Sequence, residues 1–313
     1  MQFLDAATIR ARLPWPRMLA ALDEALRSEV YAPLRVNHGV DVPGFPAASL
    51  LLMPAWRTGR HIGVKLVTVF PGNTTRGERS VSAVYVLFDA TNGVPVATLD
   101  GEGLTTRRTA GASAYAASRL ARRDARRLVM VGAGRLCPEL IDAHRHVRPI
   151  DDVAIWSRTV EHAERTTEEC VRIGIPARAT TDLEAAVANA DIVSCATLST
   201  SPLVLGRWLP PGTHLDLVGA FKRHMRETDD AAMQRADLIV VDDRAAALAE
   251  GGDVVQAIAS GAIPQGKVAA ELRDFARGKH PGRTSDNQVT VFKSVGFALE
   301  DLAAAEAVVT AAI

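Results

Sequence analysis

The chain of 313 residues is poor in cysteine and lysine, lacks long apolar runs and carries no net charge. Its three cysteines, Cys137, Cys170 and Cys195, form no C-x-x-C pair. That argues against a disulfide-stapled scaffold and offers no zinc-ligand spacing, so no metal is expected. No stretch approaches ~18 uninterrupted apolar residues. The opening MQFLDAATIRARLPW has no apolar h-region, so neither a membrane span nor a signal peptide is expected, and a cytoplasmic setting follows as the default. Thirty-six basic residues against 36 acidic ones supply no single-sign field of the kind a nucleic-acid or membrane-surface binder needs. Only five of the basic residues are lysine, at 65, 222, 267, 279 and 293. A lysine inside an apolar run therefore stands out.

What is present is the composition of a folded chain, 48% hydrophobic and 23% charged, long enough for two domains. Residues 8–28 have helical spacing through Ile9, Leu13, Met18, Leu22 and Leu26, with Pro14 and Pro16 limiting the first turn. From 33 to 101, short β-branched runs separated by Gly, Pro and Asn turns read as a meander of mostly antiparallel strands. An Ala-rich stretch over 102–122 returns to helical spacing. Beyond it strand and helix alternate, which predicts a Rossmann-type doubly wound parallel sheet, because parallel neighbours need crossover connections. The last apolar helix, roughly 294–313, is expected to return to the first domain. The expected division is an α/β substrate-binding domain over 1–120 with 295–313, and a nucleotide-binding domain over 121–294.

The strongest local signal is LVMVGAGRLCPEL. Leu128 to Val131 read as a buried parallel strand that enters Gly132-Ala133-Gly134 and then a helix near Pro138. Gly132 permits the tight turn, and Gly134 lets the backbone approach a pyrophosphate seated on the amides of the helix start. Cys137 stands where the usual third glycine would fall; its small side chain still allows the helix to pack on the strand. The next strand ends Ile155-Trp156-Ser157-Arg158-Thr159 with no carboxylate at its tip. An Asp or Glu there favours NAD through the ribose 2′-OH, whereas an Arg accommodates a 2′-phosphate. NADPH is therefore the expected cofactor, with NADH possible.

Lys65 and Lys293 each lie inside a strand-like apolar run, GVKLV and VFKSV. A buried lysine is costly unless it is paired or bound to an anion. Arg107 and Arg108 sit among small residues in TTRRTAGAS, which leave room for a close-approaching ligand, and Arg35 opens a strand after Pro33. Arg35, Lys65 and Arg108 together suggest a cationic cup in the first domain that suits a carboxylate.

The blocks GVKLVTVFPGN, LDGEGLTTRRTAGASA, VGAGRLCPEL, IWSRT and VFKSVGFALED, in that order, resemble the ornithine cyclodeaminase/mu-crystallin family. They are most similar to its reductases of Δ1-pyrroline-2-carboxylate and Δ1-piperideine-2-carboxylate. The resemblance implies a Rossmann domain plus an α/β domain that mediates homodimerisation. It also implies that Arg35, Lys65 and Arg108 hold the substrate carboxylate. It places Gly132, Ala133, Gly134 and Arg135 at the phosphate turn, and Ser157, Arg158 and Thr159 at the 2′-phosphate. Thr197 and Leu198 then line the adenosine and ribose, while Val218, Gly219, Lys293 and Ser294 flank the nicotinamide, with Thr109 also lining the cofactor. One departure matters: cyclodeaminases carry an aspartate after the Gly-Gly of this block, and here the residues are Val218-Gly219-Ala220-Phe221. A cyclic imino acid has no second amine and needs no such partner. The implied reaction is reduction of the imine to proline or pipecolate. Ser80 or a water near Lys65 is the candidate proton donor. Amino-acid dehydrogenation, ornithine cyclisation and mu-crystallin-type ligand binding stand as the alternatives.

Overall fold

The computed structural model describes residues 2–311. It divides into two compact units, one running to Arg108 and resuming at Phe297, the other spanning Thr109–Gly296. The first unit opens with β1 (Gln2–Leu4) and α1 (Ala6–Arg12). Asp5 caps α1 by accepting the Thr8 N–H at 2.8 Å, a contact worth about 1 kcal/mol. The single helix expected over 8–28 is two. Leu13, driven from helical geometry by the following proline, has φ −123° and ψ 59°, and Pro14 becomes the N-cap of α2 (Trp15–Arg27). Met18, Leu22 and Leu26 form the buried stripe of α2.

The meander follows as β2 (Val36–Val40), β3 (Ala48–Arg57), β4 (His61–Val69), β5 (Val81–Asp89) and β6 (Pro95–Asp100). These strands pair antiparallel in sequence order, as their alternation predicts, and β1 adds to β6 in parallel. With only three residues, β1 carries too little alternation to be read from sequence. Met53, Lys65, Tyr85 and Leu99 lie opposite one another across four strands and are all buried. The other face carries Leu52, Leu66 and Val84 in one row and Val64 and Val86 in another, all only half-buried. α3 (Gly101–Leu120) leaves the sheet, and the division between units falls inside it at Arg108/Thr109 rather than at 120/121.

The second unit contains β7 (Arg127–Val131), α4 (Leu136–Val147), β8 (Asp152–Trp156), α5 (Val160–Arg172), β9 (Ala177–Ala179), α6 (Leu183–Ala188), β10 (Ile192–Cys195) and β11 (His214–Leu217). It continues through α7 (Asp230–Arg235), β12 (Leu238–Val241), α8 (Arg244–Glu250), α9 (Gly252–Ala259), β13 (Val268–Glu271), α10 (Leu272–Ala276) and β14 (Thr290–Lys293). All eight strands are parallel, in the order β13-β12-β14-β11-β10-β7-β8-β9. The winding reverses between β7 and β10, so the carboxyl ends of those two strands flank a topological switch point. Val129, Val193, Leu215, Ile239 and Val291 belong to its core, and a sheet covered on both faces reads as continuous apolar runs.

The chain then returns to the first unit as α11 (Ala298–Val309), which packs against α2, β3 and β4. Glu300, Asp301 and Glu306 are buried with its apolar residues. No helix among the described residues is long and apolar enough to cross a membrane.

Candidate active site

The second unit carries a glycine turn between β7 and α4 whose geometry suits a phosphate. Gly132 has φ +113°, and a Cβ there would come within 2.7 Å of the Ala196 carbonyl oxygen just beyond β10. Only glycine combines that dihedral with that approach at the switch point. A Cβ on Gly134 would meet nothing within 4 Å, so this glycine borders open space, where backbone can approach a ligand. α4 begins two residues on with no side-chain cap at Arg135, and uncapped first-turn amides suit an anion. Thr166 steadies the turn by donating to the Ala133 carbonyl at 3.0 Å. Cys137, in place of the third glycine, is fully buried and fits the packing of helix on strand. At the end of β8, Ser157 is half-buried while Arg158 and Thr159 are exposed, Thr159 as the N-cap residue of α5. The residues present fit a dinucleotide whose phosphates lie on this turn.

Two loops that follow neighbouring strands are tied together by a residue the sequence reading missed. The buried Glu227 carboxylate accepts from Thr197 N at 2.7 Å and Oγ1 at 2.8 Å, and from Gly219 N at 2.8 Å and Ala220 N at 3.2 Å. Burial pushes this carboxyl up to about 7, against the pull of Lys293 and together with Asp253. Gly219 is again obligatory, since a Cβ would stand 2.0 Å from the Thr197 carbonyl oxygen. Val218 is buried beside it, and Leu198 is exposed. Thr109, the first residue of this unit, is buried on α3.

The Lys293 ammonium is fully buried and lies 3.1 Å from Asp253 Oδ2, so a carboxylate of the protein faces its charge. Asp253 Oδ1 in turn accepts the Glu227 and Thr228 amides at 2.7 and 3.1 Å. Ser294 donates from Oγ to Asp242 at 3.1 Å, and the same carboxylate oxygen accepts the Val295 and Gly296 amides. Burial raises the Asp242 carboxyl above its ordinary range.

The first unit brings Lys65 and Arg108 together, as the sequence predicts, but not as a bare positive cup. Lys65 Nζ lies 2.7 Å from Asp301 Oδ2 and donates to Oδ1 at 2.9 Å. Arg108 donates from Nε to Asp301 Oδ1 at 3.0 Å and from Nη1 to Glu300 Oε2 at 2.6 Å. Two cations thus face two carboxylates. Burial pulls the Lys65 ammonium down to about 8; Asp301 opposes the shift while Arg108 and Arg35 add to it. Burial would raise the Asp301 carboxyl, but Arg108 and Lys65 outweigh it and hold it below the usual carboxylate range. Arg35 is half-buried just before β2. Ser80 stands immediately before β5, its carbonyl accepting the Phe70 amide at 2.7 Å. Arg107, beside the clamp in sequence, stacks 3.3 Å above the Trp15 ring and donates to the Leu13 carbonyl, which is a structural use of the charge.

The sequence held a signal for the missed acids. Glu300 and Asp301 are charges inside the otherwise apolar run FALEDLAAA, the same anomaly that singled out the lysines. Glu227 and Asp253 stand in polar contexts and had none.

A model of the ornithine cyclodeaminase/mu-crystallin family matches residues 3–312. Over 302 residues the chain is 40% identical to the Δ1-pyrroline-2-carboxylate reductase of Paracoccus denitrificans, covering 96% of this chain and 94% of that protein. The solved Δ1-pyrroline-2-carboxylate reductase of Thermococcus litoralis, in complex with NADH and L-proline, superposes with a TM-score of 0.92 at 29% identity, covering 99% and 96% of the two chains. An archaeal alanine dehydrogenase dimer with bound NAD superposes with a TM-score of 0.89 at 28% identity, covering 99% and 95%.

Proposed function

The chain belongs to the ornithine cyclodeaminase/mu-crystallin family, and from that premise we propose that it reduces cyclic 2-imino carboxylates with NAD(P)H. Δ1-pyrroline-2-carboxylate would give L-proline, and Δ1-piperideine-2-carboxylate L-pipecolate. The observation that carries the reading is the buried Lys65–Arg108 pair, held on one carboxylate of α11, in a chain whose other unit has the glycine turn of a dinucleotide site. Bound NAD(P)H would supply a hydride for the imine carbon. The protein supplies orientation: the Arg108 fork and the Lys65 ammonium grip the substrate carboxylate and fix the ring for attack. Gly132, Ala133, Gly134 and Arg135 would hold the pyrophosphate, and Thr197, Leu198, Val218, Gly219 and Thr109 would line the remainder. The backbone at Lys293 and Ser294 would serve the nicotinamide end. Arg158, with Ser157 and Thr159, favours a 2′-phosphate and hence NADPH.

The half-exposed apolar face of the six-stranded sheet supports a homodimer, with a second copy as its cover. Ala220 and Phe221, where a cyclodeaminase has its aspartate, favour a cyclic imine over ornithine. The test is a screen of NADPH and NADH oxidation with five- and six-membered cyclic imino acids against pyruvate plus ammonia. Saturable oxidation with the imines supports the reading, and turnover confined to pyruvate plus ammonia would replace it with amino-acid dehydrogenation.

A further inference from the structure

The loops that follow β10 and β11 meet on one carboxylate. Glu227 Oε1 accepts the Thr197 amide and hydroxyl, and Oε2 accepts the Gly219 and Ala220 amides. All four donors need a bare oxygen. A protonated carboxyl carries its hydrogen on one of its two oxygens and there sets donor against donor, so either the Thr197 loop or the Gly219 loop loses its acceptor. The contact is too close to absorb that hydrogen: a Cβ on Gly219 would stand 2.0 Å from the Thr197 carbonyl oxygen and 2.5 Å from Glu227 Oε1.

Burial works against the ionised form, since Glu227 is fully enclosed and its carboxyl is pushed up to about 7. Three titratable groups interact with it from the elements around it. Asp253 of α9 raises it and Lys293 of β14 lowers it, while Cys195 of β10 is a thiol that burial keeps neutral. Asp253 joins the other two: Oδ2 lies 3.1 Å from the Lys293 ammonium, and Oδ1 accepts the Glu227 amide at 2.7 Å. Asp253 and Lys293 are themselves fully buried, so solvent ions screen these charges little.

We propose that Lys293 is a positioning residue for the dinucleotide: its buried ammonium keeps Glu227 ionised and so holds the loops after β10 and β11 tied together. Asp253 is the opposing partner, seating the ammonium while pushing Glu227 toward its protonated form. The inference rests on the reading of these loops as part of a dinucleotide site. Binding is then linked to one proton, because the cofactor takes the tied loops and therefore the ionised carboxylate. An acid raised to about 7 is ionised above that pH and protonated below it, so affinity is full at alkaline pH and falls as the pH drops through 7.

Calorimetric titration of the full chain with NADP+ and with NAD+, from about pH 5.5 to about pH 9, gives the Kd values that test this. Other titrating groups, the 2′-phosphate included, are shared by wild type and variants, so ratios of Kd isolate Glu227. Glu227→Gln should bind about tenfold more weakly at pH 9, with the gap closing at pH 5.5. Lys293→Met should move the wild-type midpoint up by about one pH unit or more, so that its deficit peaks above pH 7 and vanishes in acid, where Glu227 is protonated in both proteins. Asp253→Asn, whose amide oxygen can still accept the Glu227 and Thr228 N–H groups, should move the midpoint down. Lys293→Met that weakens binding by one factor at every pH would mean that the ammonium acts by itself, and would overturn the inference.

A measurement without change at Lys293 guards against a variant that does not fold. In buffers of different ionisation enthalpy at pH 7, the wild type should release about half a proton more than Glu227→Gln on binding NADP+, the fraction of a group with a pKa of about 7 that must ionise. Equal release would overturn the inference while leaving the reductase reading intact. Wild-type protein that binds neither NADP+ nor NAD+ at any pH would overturn both.

Discussion

At the residue scale, function turns on how buried charge is answered. Lys65 and Lys293 are both fully enclosed, and each has a carboxylate within about 3 Å. The two differ in company. Asp301 is shared between Lys65 and Arg108, whereas Asp253 accepts two backbone amides and faces Lys293. Replacing Lys65 with Met removes a charge-assisted contact worth about 1.5–3 kcal/mol, so the KM for the imine should rise roughly tenfold or more. Initial rates against imine concentration check this, with circular dichroism to confirm the fold. The pH dependence has a definite sign. Lys65 is a base lowered to about 8, so it is charged below that pH and neutral above it. The Ki of pyrrole-2-carboxylate should be flat below pH 8 and rise above it, and Lys65→Met should lose the rise.

The lysines were legible because a charge in a strand pattern is an anomaly at short range. Asp301 carried the same kind of anomaly, but its pairing with Lys65 was not legible, since it lies 236 residues beyond and only the folded chain brings the two together.

At the scale of elements, the two loops after β10 and β11 act as one support because Glu227 binds both. Glu227→Gln would turn an amide NH₂ toward backbone N–H donors, where the carboxylate now accepts. The KM for NADPH should rise about tenfold, the cost of a lost charged hydrogen bond or more, while the Ki of pyrrole-2-carboxylate stays within about twofold. Gly132→Ala forces an L side chain to φ +113° against the Ala196 carbonyl. It should cost about 1–3 kcal/mol in stability, read by urea unfolding, and weaken NADPH binding. Arg158→Ala should narrow the preference for NADPH over NADH about tenfold, measured as the ratio of the two kcat/KM values.

Elements with strong periodicity or a sharp motif were readable, including the meander, the β7 turn and α11. Those that escaped are short. β1 has three residues and β13 four, α7 and α10 have six and five, and tertiary pairing rather than local pattern holds such pieces in place. The break at Leu13 escaped because two prolines can limit a first turn or end a helix, and here Pro14 does the latter.

At the scale of the whole molecule, zero net charge conceals two different local arrangements. In the first unit two cations and two carboxylates are buried side by side, and in the second Glu227, Asp253 and Lys293 share one interior. Burying such groups contributes little to stability, so their expected role is to position and to select. The sheet of the first unit shows one buried face and one half-exposed apolar face. Light scattering should give twice the 33.4 kDa of one chain. Val86→Glu, in the centre of the open face, should shift the protein toward monomer.

The most direct test of the central claim follows one atom. With NADPH deuterated at C4 and Δ1-pyrroline-2-carboxylate as substrate, the account predicts L-proline carrying deuterium at C2. No deuterated proline, with label appearing instead in alanine from pyruvate and ammonia, would contradict it.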